Sequence, residues 1–253
     1  MIGRKMIRRM DMLQGIAAIP LLGIAACGAG GKRFPDYRYR LTVEVETPDG
    51  VRSGSSVIEV YTAMRGANDL PTPNALFKRM KGEAVAVDLP NGQTLFALLR
   101  SEMSVDWAKG PIENIIPKSD TPEGEGSEYQ RRFDVMLQRK GVYELPRQFL
   151  NDPPHIAKSD KPTAYPMLVT FENIADPKTV EKVDPDHLAA TFGEGYALKR
   201  ITLQLTDDPV TTGIEKRFGW LGPYPETRLQ AATAKFDLPV EKVLTNGDFL
   251  RNK

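Results

Sequence analysis

The amino-acid sequence predicts an α+β fold in which antiparallel β-hairpins form a sheet with a few short helices. One segment alternates apolar and polar residues with a period of two, a second is a short apolar run, and each leads through an Asx–Gly pair into a predicted return strand. A third segment, which follows Ser127, has apolar residues at helical spacing. No period of about 20 to 50 residues recurs, which argues against a solenoid or a propeller.

The first hairpin is predicted from residues 37–46, where Tyr, Leu and Val alternate with Arg, Thr and Glu. This alternation is typical of a strand with one buried face. Asp49-Gly50 is the predicted two-residue turn, and residues 51–62 form the predicted return strand. The predicted facing pairs are Leu41 with Ile58, Tyr39 with Val60, and Arg40 with Glu59.

The second hairpin is predicted from residues 83–88 and 93–100, with Asn91-Gly92 as the turn between them. Both faces of this pair carry apolar or small residues, so we expect it to be buried on both sides and to lie in the middle of a sheet. The predicted facing pairs are Val87 with Phe96, Val85 with Leu98, and Glu83 with Arg100.

Capping signals predict where the helices begin and end. Ser127 and Gln130 form a capping-box sequence, so the longest helix is predicted to begin there and to end at Gly141. A shorter helix is predicted from its cap Asp184 to Gly193. The remaining predictions are strands at 166–171 and 197–205, a last helix capped by Thr212, and irregular segments at 106–126 and 145–165.

The first 26 residues have the layout of a secretory signal peptide. Four basic residues precede an apolar run, 12–26, which ends at Cys27, the only cysteine of the chain. The run contains Pro20 and is shorter than the ~20 apolar residues that a membrane-spanning helix needs. A cleaved export signal is therefore a better interpretation than a permanent membrane span.

The segment Leu22-Gly23-Ile24-Ala25-Ala26-Cys27 resembles the lipobox of bacterial lipoprotein precursors. The resemblance covers residues 1–27 only, and it implies cleavage before Cys27 and transfer of a diacylglyceryl group to the thiol. Gly28 resembles the sorting signal of enteric bacteria for the outer membrane, which implies an anchor there, facing the periplasm, in a Gram-negative host. Two alternatives stay open: an ordinary buried cysteine, and twin-arginine export through Arg8-Arg9.

These signals divide the chain into a signal peptide (1–26), a lipidated cysteine with a short flexible tether (27–33), and a single α+β domain (34–253). The chain has 34 basic and 33 acidic residues, and removal of residues 1–26 leaves 30 basic and 32 acidic residues, a net charge of −2. This balance predicts no nucleic-acid partner. It also predicts no polybasic patch that would supplement the lipid at the membrane.

Residues with catalytic or metal-binding chemistry are sparse in this sequence. The chain has two histidines and no phosphate-binding glycine motif. Asp184, Asp186 and His187 carry the atoms of a metal site or an acid–base pair, but a helix cap and first turn explain them better. His155 is predicted to lie in a solvated loop. No residue is therefore assigned a catalytic role.

The leading functional hypothesis is a lipid-anchored cell-envelope protein that acts as a non-catalytic binding or assembly module. Its predicted partners are the membrane, through the lipid on Cys27, and an envelope protein. Trp220, Pro223 and Tyr224 form the candidate contact patch, provided that they are exposed. No cofactor or metal is predicted. The alternatives are an envelope hydrolase that uses carboxylates and His187, and a carrier whose sheet encloses an apolar ligand.

Overall fold

The computed structural model describes residues 31–66, 68, 70–125, 127–148, 163–222, 229 and 240–252. Its strands are β1 (Lys32–Arg33), β2 (Tyr37–Thr47), β3 (Gly50–Met64), β4 (Leu76–Glu83), β5 (Val85–Asp88), β6 (Thr94–Ala97), β7 (Val142–Glu144), β8 (Leu168–Phe171), β9 (Val180–Val183), β10 (Ala197–Leu205) and β11 (Leu250–Asn252). Its α-helices are α1 (Pro111–Asn114), α2 (Glu128–Gln138), α3 (Leu188–Phe192) and α4 (Val240–Val243). Short 3-10 helices cover Trp107–Lys109, Lys118–Asp120, Pro177–Thr179, Ile214–Lys216 and Asn246–Asp248.

The strands form two antiparallel sheets beside the short helices, which confirms the α+β prediction. The seven-stranded sheet has the order β11-β4-β3-β2-β10-β7, and β1 continues the line of β2 along β3. The four-stranded sheet has the order β5-β6-β8-β9. The chain passes from the first sheet to the second at Ala84, the single residue between β4 and β5.

Apolar side chains form two buried cores, one on each face of the four-stranded sheet. In the larger core, alternate residues of β2 from Tyr37 to Val45 meet Val85 and Leu95 of the four-stranded sheet. In the smaller core, Phe96 packs on Phe218 with ring centroids 4.9 Å apart. The four-stranded sheet is therefore buried on both sides, and the seven-stranded sheet has one polar outer face.

The register of the first hairpin differs by two residues from the predicted one. Pro48 and Asp49 form the turn, Thr47 faces Gly50, and Gly50 has a φ of +101°. Proline has the fixed φ that the second position of a turn requires, and glycine tolerates the positive φ that follows. Because the shift is even, each side chain keeps its predicted face. The observed pairs include Tyr39 with Ile58 and Arg38 with Glu59.

The second hairpin has a three-residue loop, Pro90-Asn91-Gly92, in place of the predicted two-residue turn. The Gly92 amide donates to the carbonyl of Leu89 at 3.0 Å, and Gly92 has a φ of +83°. The register is therefore shifted by one residue, which moves each side chain of β6 to the opposite face of the sheet. Phe96 faces Ala86 and points into the smaller core. Burial on both sides is confirmed, but β5 is an edge strand of its sheet and does not lie in the middle.

The helices agree with the capping signals in part. Ser127 Oγ accepts a hydrogen bond from the Gln130 amide at 3.1 Å and begins α2, which ends at Gln138, ahead of Gly141. The shorter helix α3 begins after His187, because the side chain of Asp184 closes a turn onto the Asp186 amide. Thr212 caps no helix, since a 3-10 helix follows Gly213 instead.

Residues 106–126, predicted to be irregular, contain α1 and two 3-10 helices that cover one end of the larger core. Trp107 is 5% exposed, and its indole Nε1 donates to the carbonyl of Ala164 at 2.8 Å. Ala108, Ile112 and Ile116 are buried beside it. The prolines and glycines of this segment separate short helical turns. They interrupt the spacing of the apolar residues that anchor the segment, so the sequence pattern predicts a loop.

Strand β1 lies inside the predicted tether 27–33. Lys32 and Arg33 form β1 and pair with Met64 and Ala63 at the end of β3. Two residues predicted as flexible tether therefore belong to the sheet. Among the described residues, no helix has the length and apolar character needed to cross a bilayer. The prediction of a single domain from 34 to 253 includes residues outside the described ranges and stays a prediction.

Candidate functional site

The predicted acid–base cluster lies on the surface at the start of α3. His187 Nδ1 is 2.9 Å from Asp184 Oδ2, and the Asp186 amide donates to Asp184 Oδ1 at 2.9 Å. The guanidinium of Arg147 donates to the two oxygens of Asp186 at 3.1 and 2.6 Å. The structure thus brings the three predicted residues together and adds Arg147 to them.

This cluster has the features of a solvated ion-pair network. The side chains of Asp184, Asp186 and His187 are 56%, 56% and 74% exposed. Hydrogen bonding and charge from Asp184 raise the pKa of His187, while the Asp186 amide and then His187 lower the pKa of Asp184. Within the described ranges, no three His, Cys, Asp or Glu side chains are grouped as metal ligands.

Trp220, the first residue of the predicted contact patch, belongs to an aromatic cluster. Its indole Nε1 donates to the carbonyl of Ile174 at 2.9 Å, and its ring lies 4.8 Å from Phe218 and 5.6 Å from Phe249. Trp220 is half-buried and closes the smaller core. Pro223 and Tyr224 lie outside the described residues, as do Cys27 and His155, so the patch and the lipidation stay predictions.

A groove of about 670 Å³ opens on the outer face of the seven-stranded sheet. It lies where three strands run side by side, with Arg33 of β1 facing Ala63 of β3, which in turn faces Phe77 of β4. Directly facing residues project from the same side of a sheet, and Tyr61 with Arg79 makes the next row. We call this site the basic groove. Its lining residues are Gly31, Arg33, residues 61–65, Phe77, Arg79 and Asn252.

The lining of the basic groove contains three arginines and no carboxylate. The guanidinium of Arg65 lies 4.4 Å from the ring centroid of Phe77, a cation–π contact that holds the arginine over an apolar surface. Arg33 forms an ion pair with Asp36 at 2.7 Å. Within the described part of the chain, Arg65 and Arg79 form no ion pair. The net charge of the chain does not reveal this local group of arginines, and the absence of a polybasic patch that would supplement the lipid stays a prediction.

A second groove, of about 430 Å³, lies on the inner side of the same sheet end. Leu76 and Lys78 line it from β4, and Met103 and Trp107 line it from the segment that follows β6. Met103 is 74% exposed, although methionine is an apolar residue. The beginning of β4 thus presents one groove on each of its faces, since side chains alternate along a strand.

The titratable groups beside this second groove bind one another. Glu113 accepts hydrogen bonds from Lys78 Nζ at 2.6 Å, from the Tyr37 hydroxyl at 3.3 Å and from the Tyr129 hydroxyl at 3.4 Å. Burial, followed by the charge of Glu113, raises the pKa of Tyr37 well above its ordinary value. The cluster links β4 to α1 and α2, and its hydroxyls stay protonated as donors at neutral pH.

Two buried carboxylates fix segments from the second half of the chain: Glu83 of β4 binds the 3-10 helix Ile214–Lys216, and Asp248 binds the turn at Thr245. Glu83 is 6% exposed and accepts from the Ile214 amide at 3.0 Å. Asp248 is 1% exposed and accepts from the Thr245 amide at 2.7 Å, with Arg100 Nη1 at 3.7 Å. Burial raises the pKa of both carboxyl groups above their ordinary values.

The substitution Glu83→Gln is expected to raise stability more at neutral than at acidic pH. Because the pKa of Glu83 is raised in the fold, the folded chain binds this proton more tightly than the unfolded chain does. The ionised carboxylate therefore costs stability as the pH rises from its ordinary pKa of 4.5 through the raised value. Urea unfolding of the variant and the wild type between about pH 5 and 7 measures this difference.

Asp88→Asn provides the control of opposite sign. Arg217 lowers the pKa of Asp88, so this carboxylate stabilises the fold above its ordinary pKa of 3.8 and loses that effect as the pH falls. The variant is expected to be less stable than the wild type at pH ~7, with a smaller difference in acid. A Glu83→Gln effect that is independent of pH, or that grows toward acid, would contradict the assignment of a raised pKa.

No residue of the basic groove was predicted from the sequence as a binding residue. Arg33 was placed in the flexible tether, and β4, which carries Phe77 and Arg79, was not predicted as a strand. The available signal was the pair Phe77 and Arg79 at spacing two, beside a second pair, Lys78 and Met80, on the other face. A polar residue on each face conceals the period of two that marks a strand.

Comparisons with known proteins give no match. No family model matches the chain, and searches of curated proteins and of solved structures find none that is detectably similar.

Proposed function

We propose that this chain is a lipid-anchored protein of the bacterial cell envelope that acts through surface contacts. The lipid on Cys27 anchors it to the membrane, on the periplasmic side of the outer membrane in a Gram-negative host. The signal-peptide pattern and the lipobox support the anchor. Two open grooves, and an acid–base cluster whose three side chains are more than half exposed, favour a binding or assembly module over an enzyme.

The position of β1 is the observation that carries this proposal. Strand β1 begins at Lys32, five residues after Cys27. An extended chain gains at most ~3.6 Å per residue, so β1 lies within about 18 Å of the lipidated residue. A tether this short suits a protein that works at the membrane surface and contacts partners there.

The anchor is tested by comparing the wild type with Cys27→Ala in the native host. We expect the wild type to incorporate radiolabelled fatty acid and to lack residues 1–26 by intact mass. The variant has no thiol to acylate, so it is expected to take up no label and to keep the longer precursor mass. Gly28→Ala is the matched control, because it changes a neighbouring residue and leaves the thiol in place.

A Cys27→Ala variant that is processed to the mature mass would contradict lipidation at this residue. The contact role is tested separately by in-cell crosslinking of the wild type. An anchored protein with a reproducible crosslink to an envelope component supports the binding role. An anchored protein without such a crosslink counts against it.

A further inference from the structure

Exposed apolar side chains are concentrated at one end of the fold. The described chain has seven large apolar side chains that are exposed, and five of them lie around the β3–β4 connection and the two grooves beside it. Leu70 is 84% exposed within that connection. An exposed apolar cluster of this kind is typical of a surface that binds another protein or a membrane. The five residues are Leu70, Leu76, Phe77, Met103 and Val105. We refer to these five residues together with the basic groove as the β3–β4 end.

Basic side chains lie among these apolar residues. Arg33, Arg65 and Arg79 line the groove, and Lys32 is exposed at the start of β1. Arginine presents a planar group of donors that fits the oxygens of a phosphate. A groove with three arginines and no carboxylate in its lining therefore fits a surface of phosphate groups above an apolar layer.

The chain from the lipidation site enters at this same end. Gly31 lines the basic groove and lies four residues after Cys27. Those four residues span at most about 14 Å when extended. The β3–β4 end is therefore the part of the described fold that the anchor holds nearest to the lipid.

We propose that the β3–β4 end is the membrane-facing surface of the protein, with phospholipid headgroups as its ligand. Arg65 and Arg79 contact headgroup phosphates, while Leu70 and Phe77 enter the interfacial layer. This inference rests on the proposed lipid anchor. It adds the orientation of the domain, since a lipid anchor by itself does not determine which face of the domain turns toward the membrane.

Charge argues against a second copy of the chain as the occupant. A symmetric dimer through this surface would place the same patch on both subunits, so arginines would approach arginines. A bilayer rich in anionic phospholipid supplies the opposite charge. The mature chain has a net charge of −2, so acidic residues outnumber basic ones in the rest of the chain.

The orientation is tested with the lipidated mature protein in vesicles of phosphatidylethanolamine and phosphatidylglycerol. Cys27 is the only cysteine of the chain, so once it is acylated an introduced cysteine is the only free thiol. Leu70→Cys and Val51→Cys each receive the same environment-sensitive fluorophore. Val51 is the matched control, because it is 48% exposed at the far end of β3, roughly 40 Å from Met64 along the strand.

We expect nitroxide-labelled lipids to quench the Leu70→Cys fluorophore at least threefold more than the Val51→Cys fluorophore. Equal quenching, or stronger quenching at Val51, would overturn the proposed orientation. A Leu70→Cys fluorophore that is shielded only at high protein density, without quenching by lipid, would identify a second copy as the occupant and would also overturn it. Protein that does not float with the vesicles at all contradicts the anchor instead, so the two failures are distinct.

The phosphate contacts are tested by neutralising arginines in the Leu70→Cys background. The double variant Arg65→Gln and Arg79→Gln is expected to lower quenching about twofold or more on vesicles that contain phosphatidylglycerol. Arg52→Gln removes one charge at the exposed far end of β3 and is expected to change nothing. Quenching that is unaffected by the double variant would exclude the two arginines as headgroup ligands.

Discussion

Gly54→Ala is expected to lower the free energy of unfolding by about 3 kcal/mol, since overpacking a close contact is strongly destabilising. A methyl group built on Gly54 lies 2.0 Å from the Ala86 carbonyl oxygen and 2.8 Å from its carbon. Both atoms belong to the backbone of β5, so relief of the clash requires the two sheets to move apart. The larger core lies between those sheets and would open with them.

Ser53→Ala is the matched control for this prediction. Ser53 is the neighbouring residue on β3 and is exposed, so its substitution is expected to change stability by less than about 0.5 kcal/mol. Chemical denaturation of both variants at one pH supplies the comparison. Alanine has less conformational entropy than glycine in the unfolded chain, so by itself this effect of Gly54→Ala slightly stabilises the fold. A net loss of stability is therefore caused by the clash. Equal stabilities of the two variants would show that the sheets do not approach this closely.

Asp248→Ala is expected to lower the free energy of unfolding by about 3 kcal/mol, which is at the lower end of the range for removing one partner of a buried ion pair. The carboxylate accepts hydrogen bonds from the Thr245 amide at 2.7 Å and the Thr245 hydroxyl at 3.1 Å. Its loss leaves both donors unpaired and leaves Arg100, whose side chain is 12% exposed, without its nearest carboxylate. The segment that carries Phe249 into the smaller core would then lose its fixed turn.

Asp134→Ala provides the comparison, because Asp134 is exposed and accepts a side-chain bond from Gln130 on the surface of α2. That contact contributes less than about 0.5 kcal/mol. Thermal or urea unfolding distinguishes the two variants. If Asp248→Ala costs no more than Asp134→Ala, the buried carboxylate does not hold the C-terminal segment in place.

The hairpins were predictable from the sequence except for their register. Alternation in residues 37–46 identified β2 and its buried face, because the period of two depends only on the neighbouring chain. Both registers were wrong for one reason. In both hairpins a proline precedes the Asx–Gly pair and takes the second position of the turn, as Pro48 and Pro90 show, so the pair does not form the two central residues of the turn.

Strand β4 was not predictable, because its buried face carries a charge. Lys78 points inward between Leu76 and Met80, and it is tolerated there only because Glu113 binds it from α1. That partner is 35 residues away in the sequence. A sequence pattern read locally treats Lys78 as an exposed residue and so loses the strand.

The candidate surface was hidden for a similar reason. Arg33, Arg65 and Arg79 are separated by long stretches of sequence, and only the pairing of β1 and β4 with β3 assembles them. The cluster of Asp184, Asp186 and His187 was predictable, because its members are neighbours in the chain. Their exposure, which decides what they can do, follows from the packing of α3 and not from local sequence.

The pairing of β11 with β4 also bears on when the protein can fold. Leu250 faces Glu83, so the seven-stranded sheet is complete only after strands from opposite parts of the chain have met. Contacts of such long sequence separation slow folding, because the entropy of closing a large loop is lost before the contacts form and stabilise the chain. A chain exported through a membrane channel must stay unfolded until it has passed. In the exported protein that we propose, the late pairing of β11 would delay folding and so keep the chain unfolded while it crosses the membrane.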